Sequence, residues 1–595
     1  FIGPGKVMHA SPAGFSVEDL GPEDLHIVVR DDNIAIAGGR PRGTLYGVYT
    51  FLEDYLDVRF LTQDHTHVPP IGEQEVVGPV DRIYRPPFFN YRCPVFQTTL
   101  KHPVFAVRNR NNAFHDTPRF GGISPFININ HSLGRQVPFT KYGKDYPEYF
   151  CLWDGKRGKG HYCLTNPDMV PIVTGAVLKE IQLPDCVGRK NFAVSQDDTV
   201  WQYCQCNDCI GIDKREESHM GALLRFVNAV ASAVAKTHPD VEIGTLAYGF
   251  SRKPPKTIKC RPNVAVNLTT WGRCHVHLLT NRNCPPNVQM LEELKGWSRI
   301  CKNLYFWDYY FGAGHVLLPY PDLFMFKPNI NTLLNYGVKG LFMHTEYEVP
   351  TTELIDLRHY LMNRMLWNPK LNDREVVDEF LNLHYAESAP PICRFINLVH
   401  DSYRDIELHH VKWQPHALPV DESVAATGLN LFAEAMKLAR SDQVRARVEK
   451  ASISAYRAVL DPIFKLKGDA EVSPDVADQL RPVAKEYFRL CKRHGIGPDV
   501  TGISYGYSDP TRQRLENNFT NQGSTKPAVK LPLLPISKEW RFTTDPEKQG
   551  DRKQYFKLDF DDSHWTVLKD YDFWRGVYTG VGWYRQTINP PADIA

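Results

Sequence analysis

Four acids stand where a short apolar run gives way to polar chain: Asp197 and Asp198 after NFAVSQ, Asp308 after NLYFW, and Glu346 after GLFMHT. Two carboxyl groups flanking a glycosidic bond, one protonated to assist the departing oxygen and one ionised to attack or stabilise the anomeric carbon, are what glycoside hydrolysis requires. In substrate-assisted variants a carboxylate instead orients the sugar's own acetamido group. Neighbouring side chains leave opposite faces of a strand, so only one of Asp197 and Asp198 enters a site while the strand persists, and a turn there frees both. Their competing use is an Asx turn or helix cap ahead of TVWQYC. Asp308 lies among Trp307, Tyr309 and Tyr310, where loss of solvent would raise its affinity for a proton and suit a general acid. Its competing use is to satisfy a neighbouring loop. Glu348 and Glu353 rival Glu346.

Around these acids, Arg92, His115, His131 and His344 fall near the same strand ends, and an arginine there could grip hydroxyls or a sugar carboxylate in a fork. Tyr248, Trp271 and Trp307 are candidate platforms for a sugar face, with ordinary core packing as the alternative. Directly behind the aspartate pair, Cys204, Cys206 and Cys209 form C-x-C-x-x-C. Structural zinc takes four ligands, usually from two spaced pairs; His219 is near, but no second pair with suitable spacing follows. The expectation is therefore no metal and no cofactor. A phosphate-cradling glycine loop with its lysine, H-E-x-x-H and G-x-S-x-G are all missing, which leaves nucleotide, zincin and serine-hydrolase chemistry without support.

These residues need elements to position them. From Phe88 the chain repeats short buried strands and amphipathic helices, with strands expected at FNYRCPVF, near NAFH, and at FININHS, NFAVSQD, VEIGTLAYGF, VAVNLTTW, NLYFWDYY and GLFMHTE. The fold class is α/β, and eight strand-helix units over 86–370 predict a (β/α)8 barrel of the TIM type, whose active site gathers at the C-terminal strand ends. Helices are expected at 168–182 and 220–236. Ahead of the barrel, LHIVVR, NIAIAGG, a helix through Leu45, Val48, Leu52 and Leu56, and VRFLTQ predict a small α/β domain over 1–80, with a proline-marked linker at about 70–87. Residues 371–515 read as a helical domain, LENNFTNQGSTKPAVK as a linker, and 531–595 as an incomplete β-sandwich of the jelly-roll kind.

A family resemblance follows from these runs. RGTLYGVYTFLEDYLDVRFL resembles the small N-terminal domain that precedes the barrel in hexosaminidases and α-glucuronidases. EYFCLWDGKR with CLTNPD, VSQDDTVWQYCQCNDC with SHMGALLRFVNAVA, TLAYGFSRKPPK, YFWDYYFGAGHVLLPYPDL, and YGVKGLF with LRHYLMNRMLWNP look like the domain-of-unknown-function 4838 proteins, over roughly 25–400. Some of that group are family 163 glycoside hydrolases, endo-β-N-acetylglucosaminidases of complex N-glycans. FKLDFDD with GVGWYR is similar to the jelly-roll sugar-binding domain of β-galactosidases. The resemblance implies a glycosidase on a β-linked glycan with an oligosaccharide or polysaccharide as partner, by a substrate-assisted retaining route if N-acetylglucosamine is cleaved, and a periplasmic or secreted location. An exo-acting enzyme on uronic or other acidic sugars, with Arg92 or Arg273 holding the carboxylate, is the first alternative. A carbohydrate-binding protein without turnover is the second, because Met343, His344 and Thr345 separate GLF from the next acid, Glu346.

The totals are compatible with this class and exclude others. Lys+Arg 70 against Asp+Glu 68 leaves a formal charge of +2 on 595 residues, without the concentrated basic footprint that a nucleic acid needs. No apolar run reaches membrane-spanning length. Thirteen scattered cysteines do not form the framework of a small disulfide-stapled domain. The Asn-x-Ser/Thr triplets at Asn130, Asn267 and Asn518 arise by chance in a chain this long. Phe1 opens into patterned chain and Ala595 closes an unfinished domain, as expected of a chain trimmed at both ends.

Overall fold

LHIVVR and NIAIAG are each largely buried and pair antiparallel in the computed structural model as β1 (Leu25–Arg30) and β2 (Asn33–Gly38). The helix Gly43–Tyr55 covers this sheet, with Tyr46 and Phe51 packed on Leu25, Ile27 and Ile36. β3 (Arg59–Thr62) and β4 (His65–His67) form a separate hairpin. β5 (Val80–Tyr84) lies within the expected linker yet pairs antiparallel with β1. Its half-buried alternation is that of an edge strand, a role that survives between prolines because only one side must hydrogen-bond. The described residues run from 2 to 496, interrupted chiefly at 4–7, 71–77, 114–117, 127–129, 311–315, 346–351, 410–417 and 465–473, and resume in parts of 539–585.

The next strands are β6 (Tyr91–Val95), the hairpin β7 (Phe150–Trp153) and β8 (Lys156–Tyr162), β9 (Asn191–Ala193), β10 (Glu242–Ala247), β11 (Val264–Thr269), β12 (Asn303–Tyr309) and β13 (Val338–His344). Six of them make a curled parallel sheet in the order β6-β13-β12-β11-β10-β9, flanked by helices. The first strand thus joins the last, as in a wheel of strand-helix units. Two of the eight expected strands are not formed among the described residues: NAFH and FININHS fall partly on 114–117 and 127–129, outside them. Single backbone bonds step across that gap, from Asn112 N–H to Arg92 O, Ser124 N–H to Asn112 O, and Lys190 N–H to Pro125 O.

The register decides which side chains can meet a substrate. Tyr91, Cys93, Ala265, Tyr305 and Phe342 share the concave face, and Leu304, Phe306, Leu341 and Met343 the convex face, under the helices. The helix Met220–Val234 presents Met220, Leu223, Val227 and Val230 to that convex face, and Pro285–Ile300 adds Trp297. Each such apolar side chain contributes roughly 1.5–3 kcal/mol when fully buried.

Beyond the sheet, helices Ile355–Trp367, Asp373–Tyr385, Ala389–Ser402, Glu422–Leu438, Asp442–Val459 and Pro474–Arg493 follow in succession. Three begin at side-chain caps, where Asn372, Asp421 and Ser441 accept backbone N–H bonds from the first turn, each cap worth about 1 kcal/mol. The chain forms two compact units, Phe1–Asn521 and Gln522–Ala595. In the second, β14 (Glu539–Asp545) pairs antiparallel with both β15 (Thr566–Lys569) and β16 (Val581–Arg585). Among the described residues no helix is long and apolar enough to cross a membrane.

Candidate active site at the ends of β9 to β11

The run FAVSQDD divides its work residue by residue. Phe192 and Val194 join the apolar layer under the helices. Ser195 and Gln196 are buried and knit the strand end to its neighbours: Leu246 N–H donates to Ser195 Oγ at 3.1 Å, Ser195 N–H to Ser132 Oγ at 2.9 Å, and Gln196 Nε2 to Tyr248 O at 3.0 Å. These bonds fix the backbone from which the next two side chains leave.

Asp197 turns towards the short helix Leu133–Gln136, where Gly134 N–H donates to its Oδ1 at 2.8 Å and Tyr162 Oη lies 3.5 Å from Oδ2. A Cβ at position 134 would sit 2.9 Å from Oδ1, so this approach requires glycine. The capping alternative thus describes Asp197, with the capped helix lying upstream in sequence. Asp198 goes the other way. Its side chain is 58% exposed; Tyr248 Oη donates to Oδ1 at 3.1 Å and His131 Nε2 lies 3.5 Å from the same oxygen. His131 Nδ1 sits 2.8 Å from Gln196 O, an acceptor, so Nδ1 carries hydrogen and Nε2 is left to face the carboxylate. Tyr248 in turn meets Trp271 edge to face at 5.8 Å. Asp198, His131, Tyr248 and Trp271 therefore gather on one stretch of rim at the C-terminal ends of β9, β10 and β11.

Other expected site residues lie elsewhere. Asp308 shares the convex face with Leu304 and Phe306 and is buried. Arg273 grips it through Nη2 to Oδ2 at 2.8 Å and Nε to Oδ1 at 2.9 Å, and Thr270 Oγ1 donates at 2.7 Å. Burial alone would raise its proton affinity, but Arg273 and His275 outweigh it and hold the carboxyl well below the usual carboxylate range. A group so firmly ionised and enclosed cannot serve as a general acid, and the expectation for Asp308 is corrected. Arg92 is likewise corrected as a substrate ligand: it lies on the convex side, fully buried, bonded to Glu23 Oε2 at 2.5 Å and to Arg110 O at 3.0 Å. Glu23 also receives Arg42 Nε at 2.7 Å and Asn112 Nδ2 at 2.9 Å, so this buried network ties the first sheet to the second.

Trp307 and His344 do face the concave side. Trp307 packs at 4.3 Å on Phe342 and against a cluster that includes Ile453, Tyr487 and Phe488 of the late helices, so it serves as core there. His344 stacks on Tyr309 at 5.1 Å. Met343 belongs to the convex layer, so an acid there would not have reached the rim. Glu353 is buried against Arg358. Glu346, Glu348 and His115 lie outside the described residues.

Several neighbours escaped sequence reasoning. His161 Nε2 contacts both Oγ1 and O of Thr199, and burial lowers its pKa to about 4, so a neutral imidazole braces the chain just after Asp198. Trp201, three residues past Asp198, is 73% exposed. Its position after a candidate acid was the available signal. The hairpin β7–β8 also delivers Cys163 to Cys204, Cys206 and Cys209, giving four thiols able to hold a metal, and Cys274, His277, Cys284 and His409 form a second such group.

No curated protein sequence matches the chain. Among solved structures, a family 89 glycoside hydrolase from Clostridium perfringens, in complex with GlcNAc-alpha-1,4-galactose, is similar at TM-score 0.49 and 12% identity over 83% of this chain and 65% of that one. The same family's structure in complex with PUGNAc gives TM-score 0.48 at 12% identity, again over 83% of this chain and 65% of that one. A family 115 4-O-methyl-alpha-glucuronidase with specificity for decorated arabinogalactans gives TM-score 0.47 at 12% identity over 81% and 69%. This chain thus spans less than two thirds of the family 89 structures. Residues 60–397 match the family described as "Domain of unknown function (DUF4838)". Since that match takes in more than half of the sequence, the chain belongs to the DUF4838 family.

Proposed function

We propose that this protein hydrolyses a β-linked glycan at the rim formed by β9 to β11, cleaving at an N-acetylglucosamine unit with help from the sugar's own acetamido group. The observation that carries this reading is Asp198: an exposed carboxylate beside a partly anchored one, touched by a tyrosine hydroxyl and an imidazole, next to aromatic faces. Asp198 orients the acetamido group so that its carbonyl oxygen attacks the anomeric carbon. Tyr248 holds the carboxylate in place by donating from its hydroxyl, with the His131 ring alongside, and Asp197 fixes the turn through Gly134. The departing oxygen needs a proton from a second carboxyl, and Glu346, two residues beyond the end of β13, is our candidate. Water then opens the cyclic intermediate with net retention.

The route has a direct test. Early product from a β-N-acetylglucosaminide, followed by proton NMR, is expected to be the β-anomer, and the intact mass of the protein under turnover to stay unchanged. An α-anomer first product, or a covalent glycosyl adduct, would contradict it. The acidic-sugar alternative loses its residues, because Arg92 and Arg273 are both buried in ion pairs with Glu23 and Asp308.

Two further outcomes follow from the same geometry. Tyr248→Phe removes one hydrogen bond to a charged group, worth about 1.5–3 kcal/mol, so kcat/KM should fall by roughly one to two powers of ten, read from initial rates. Trp201→Ala removes an exposed aromatic face worth about 0.5–1.5 kcal/mol; KM should rise about three- to tenfold with kcat nearly unchanged. A fall in kcat with unchanged KM would take Trp201 out of substrate binding.

A further inference from the structure

Cys163 closes the β7–β8 hairpin, and Cys204, Cys206 and Cys209 lie on the loop and first turn that lead into the helix Asn207–Glu216. Cys204 follows Cys163 at a distance of 41 positions in sequence, yet the four Sγ atoms all lie within 4.8 Å of one another. Cys163 Sγ and Cys206 Sγ are 3.6 Å apart. A tetrahedron with Zn–S bonds of about 2.3 Å has sulfurs about 3.8 Å apart, which matches. That spacing is far outside a disulfide bond of about 2.05 Å. It is also too tight for an iron–sulfur cluster, in which several irons and sulfides would have to fit between the thiolates.

The surroundings suit bound thiolates. Leu152 N–H points at Cys204 Sγ at 3.4 Å, and Thr165 Oγ1 lies 3.2 Å from Cys209 Sγ and 3.7 Å from Cys206 Sγ. Arg157 stands beside Cys163, Cys204 and Cys206, a cation that offsets the net negative charge of a metal tetrathiolate. The simpler account treats the cysteines as small apolar residues, since they cluster with Ala222. Cys151 tests that account within the structure: it is buried in the same cluster but does not belong to the tetrad, so packing alone does not explain why four sulfurs converge.

We infer that Cys163, Cys204, Cys206 and Cys209 bind one structural zinc ion, with all four positions taken by protein. Binding displaces the thiol protons to solvent and leaves no site for a substrate. The ion clamps the loop that runs from Asp198 to the C-x-C-x-x-C turn onto the hairpin, whose His161 already braces Thr199. Its role is to position the aspartate turn.

A separate observation carries a second ion. Cys274, His277, Cys284 and His409 also bring their ligand atoms within 4.8 Å. Cys274 Sγ is 3.3 Å from His277 Nδ1, while His277 Nε2 lies 3.0 Å from Ile406 O, the outer-sphere carbonyl partner that a metal-bound imidazole characteristically takes. His409 Nδ1 is buried without a hydrogen-bond partner among the described residues. An ion there joins the loop after β11 to the segment between the helices Ala389–Ser402 and Glu422–Leu438.

Elemental analysis of the full chain, purified under reducing conditions without added metal, tests both. Two zinc ions per chain are expected in the wild type and in Cys151→Ala, and one each in Cys206→Ser and Cys284→Ser, with circular dichroism reporting folding. Should a variant fail to fold, the wild type refolded with cobalt(II) is read instead, and visible bands of tetrahedral thiolate-bound cobalt are expected. One ion lost in Cys206→Ser but none in Cys284→Ser supports the first site and overturns the second, and the converse pattern does the reverse. A wild type that neither carries zinc nor takes up zinc or cobalt after reduction overturns both, as do disulfide-linked peptides joining members of each group.

Discussion

Asp198→Asn is expected to lower turnover of a β-N-acetylglucosaminide by about 10²–10⁴-fold, the range by which a positioned acid–base group accelerates catalysis. The amide keeps the shape and can still accept from Tyr248, so the fold is undisturbed. It cannot carry the negative charge that stabilises the positive charge developing on the acetamido group in the transition state. Because that interaction strengthens only as the transition state forms, kcat should fall while KM stays within a few-fold. Asp197→Asn should act differently. Its Oδ1 takes Gly134 N–H inside the turn, so its loss disturbs the placement of Asp198 as well as any direct contact with substrate. A kcat for Asp198→Asn within threefold of wild type would remove Asp198 from the chemistry.

The second large effect is on stability. Asp308→Ala leaves Arg273 buried without its partner, and breaking a buried pair on one side costs about 3–5 kcal/mol. Urea unfolding followed by circular dichroism should show that loss, while the activity of the molecules that remain folded is nearly unchanged. The pH dependence has a definite sign. The folded carboxyl is held below its ordinary value, so the unfolded chain takes up the proton first, near pH 3.9, and the pair's contribution is complete above that and lost as pH falls further. The stability gap between wild type and Asp308→Ala should therefore be constant from neutral pH to about pH 5 and narrow below about pH 4. An activity loss without a stability loss would restore Asp308 as a catalytic group.

The contrast between these two aspartates shows what the sequence could convey. Strands such as VAVNLT and NLYFWDY are legible because parallel strands covered on both faces read as continuous apolar runs. That same continuity hides which face a residue takes. Asp308 ends its run just as an active-site acid would, but it falls in register with Met343 on the helix side, and only the strand pairing reveals this. Arg92 misleads for the same reason, lying one residue off the concave face. The turn that carries Asp198 is legible because the strand stops before it and two buried polar residues, Ser195 and Gln196, anchor the exit. Cys163 was not, since its link to C-x-C-x-x-C runs through a hairpin rather than through spacing. β5 stayed hidden among prolines because a short edge strand needs few hydrogen bonds.

Product analysis of the wild type and of Asp198→Asn on a panel of β-linked and α-linked glycans, neutral and acidic, with and without N-acetylglucosamine, tests the central claim most directly. The account predicts fragments released from β-linked N-acetylglucosamine glycans by the wild type, nearly lost in Asp198→Asn and retained by Asp308→Asn once corrected for the folded fraction. Binding without release across the whole panel, or release that Asp198→Asn leaves intact, would contradict it.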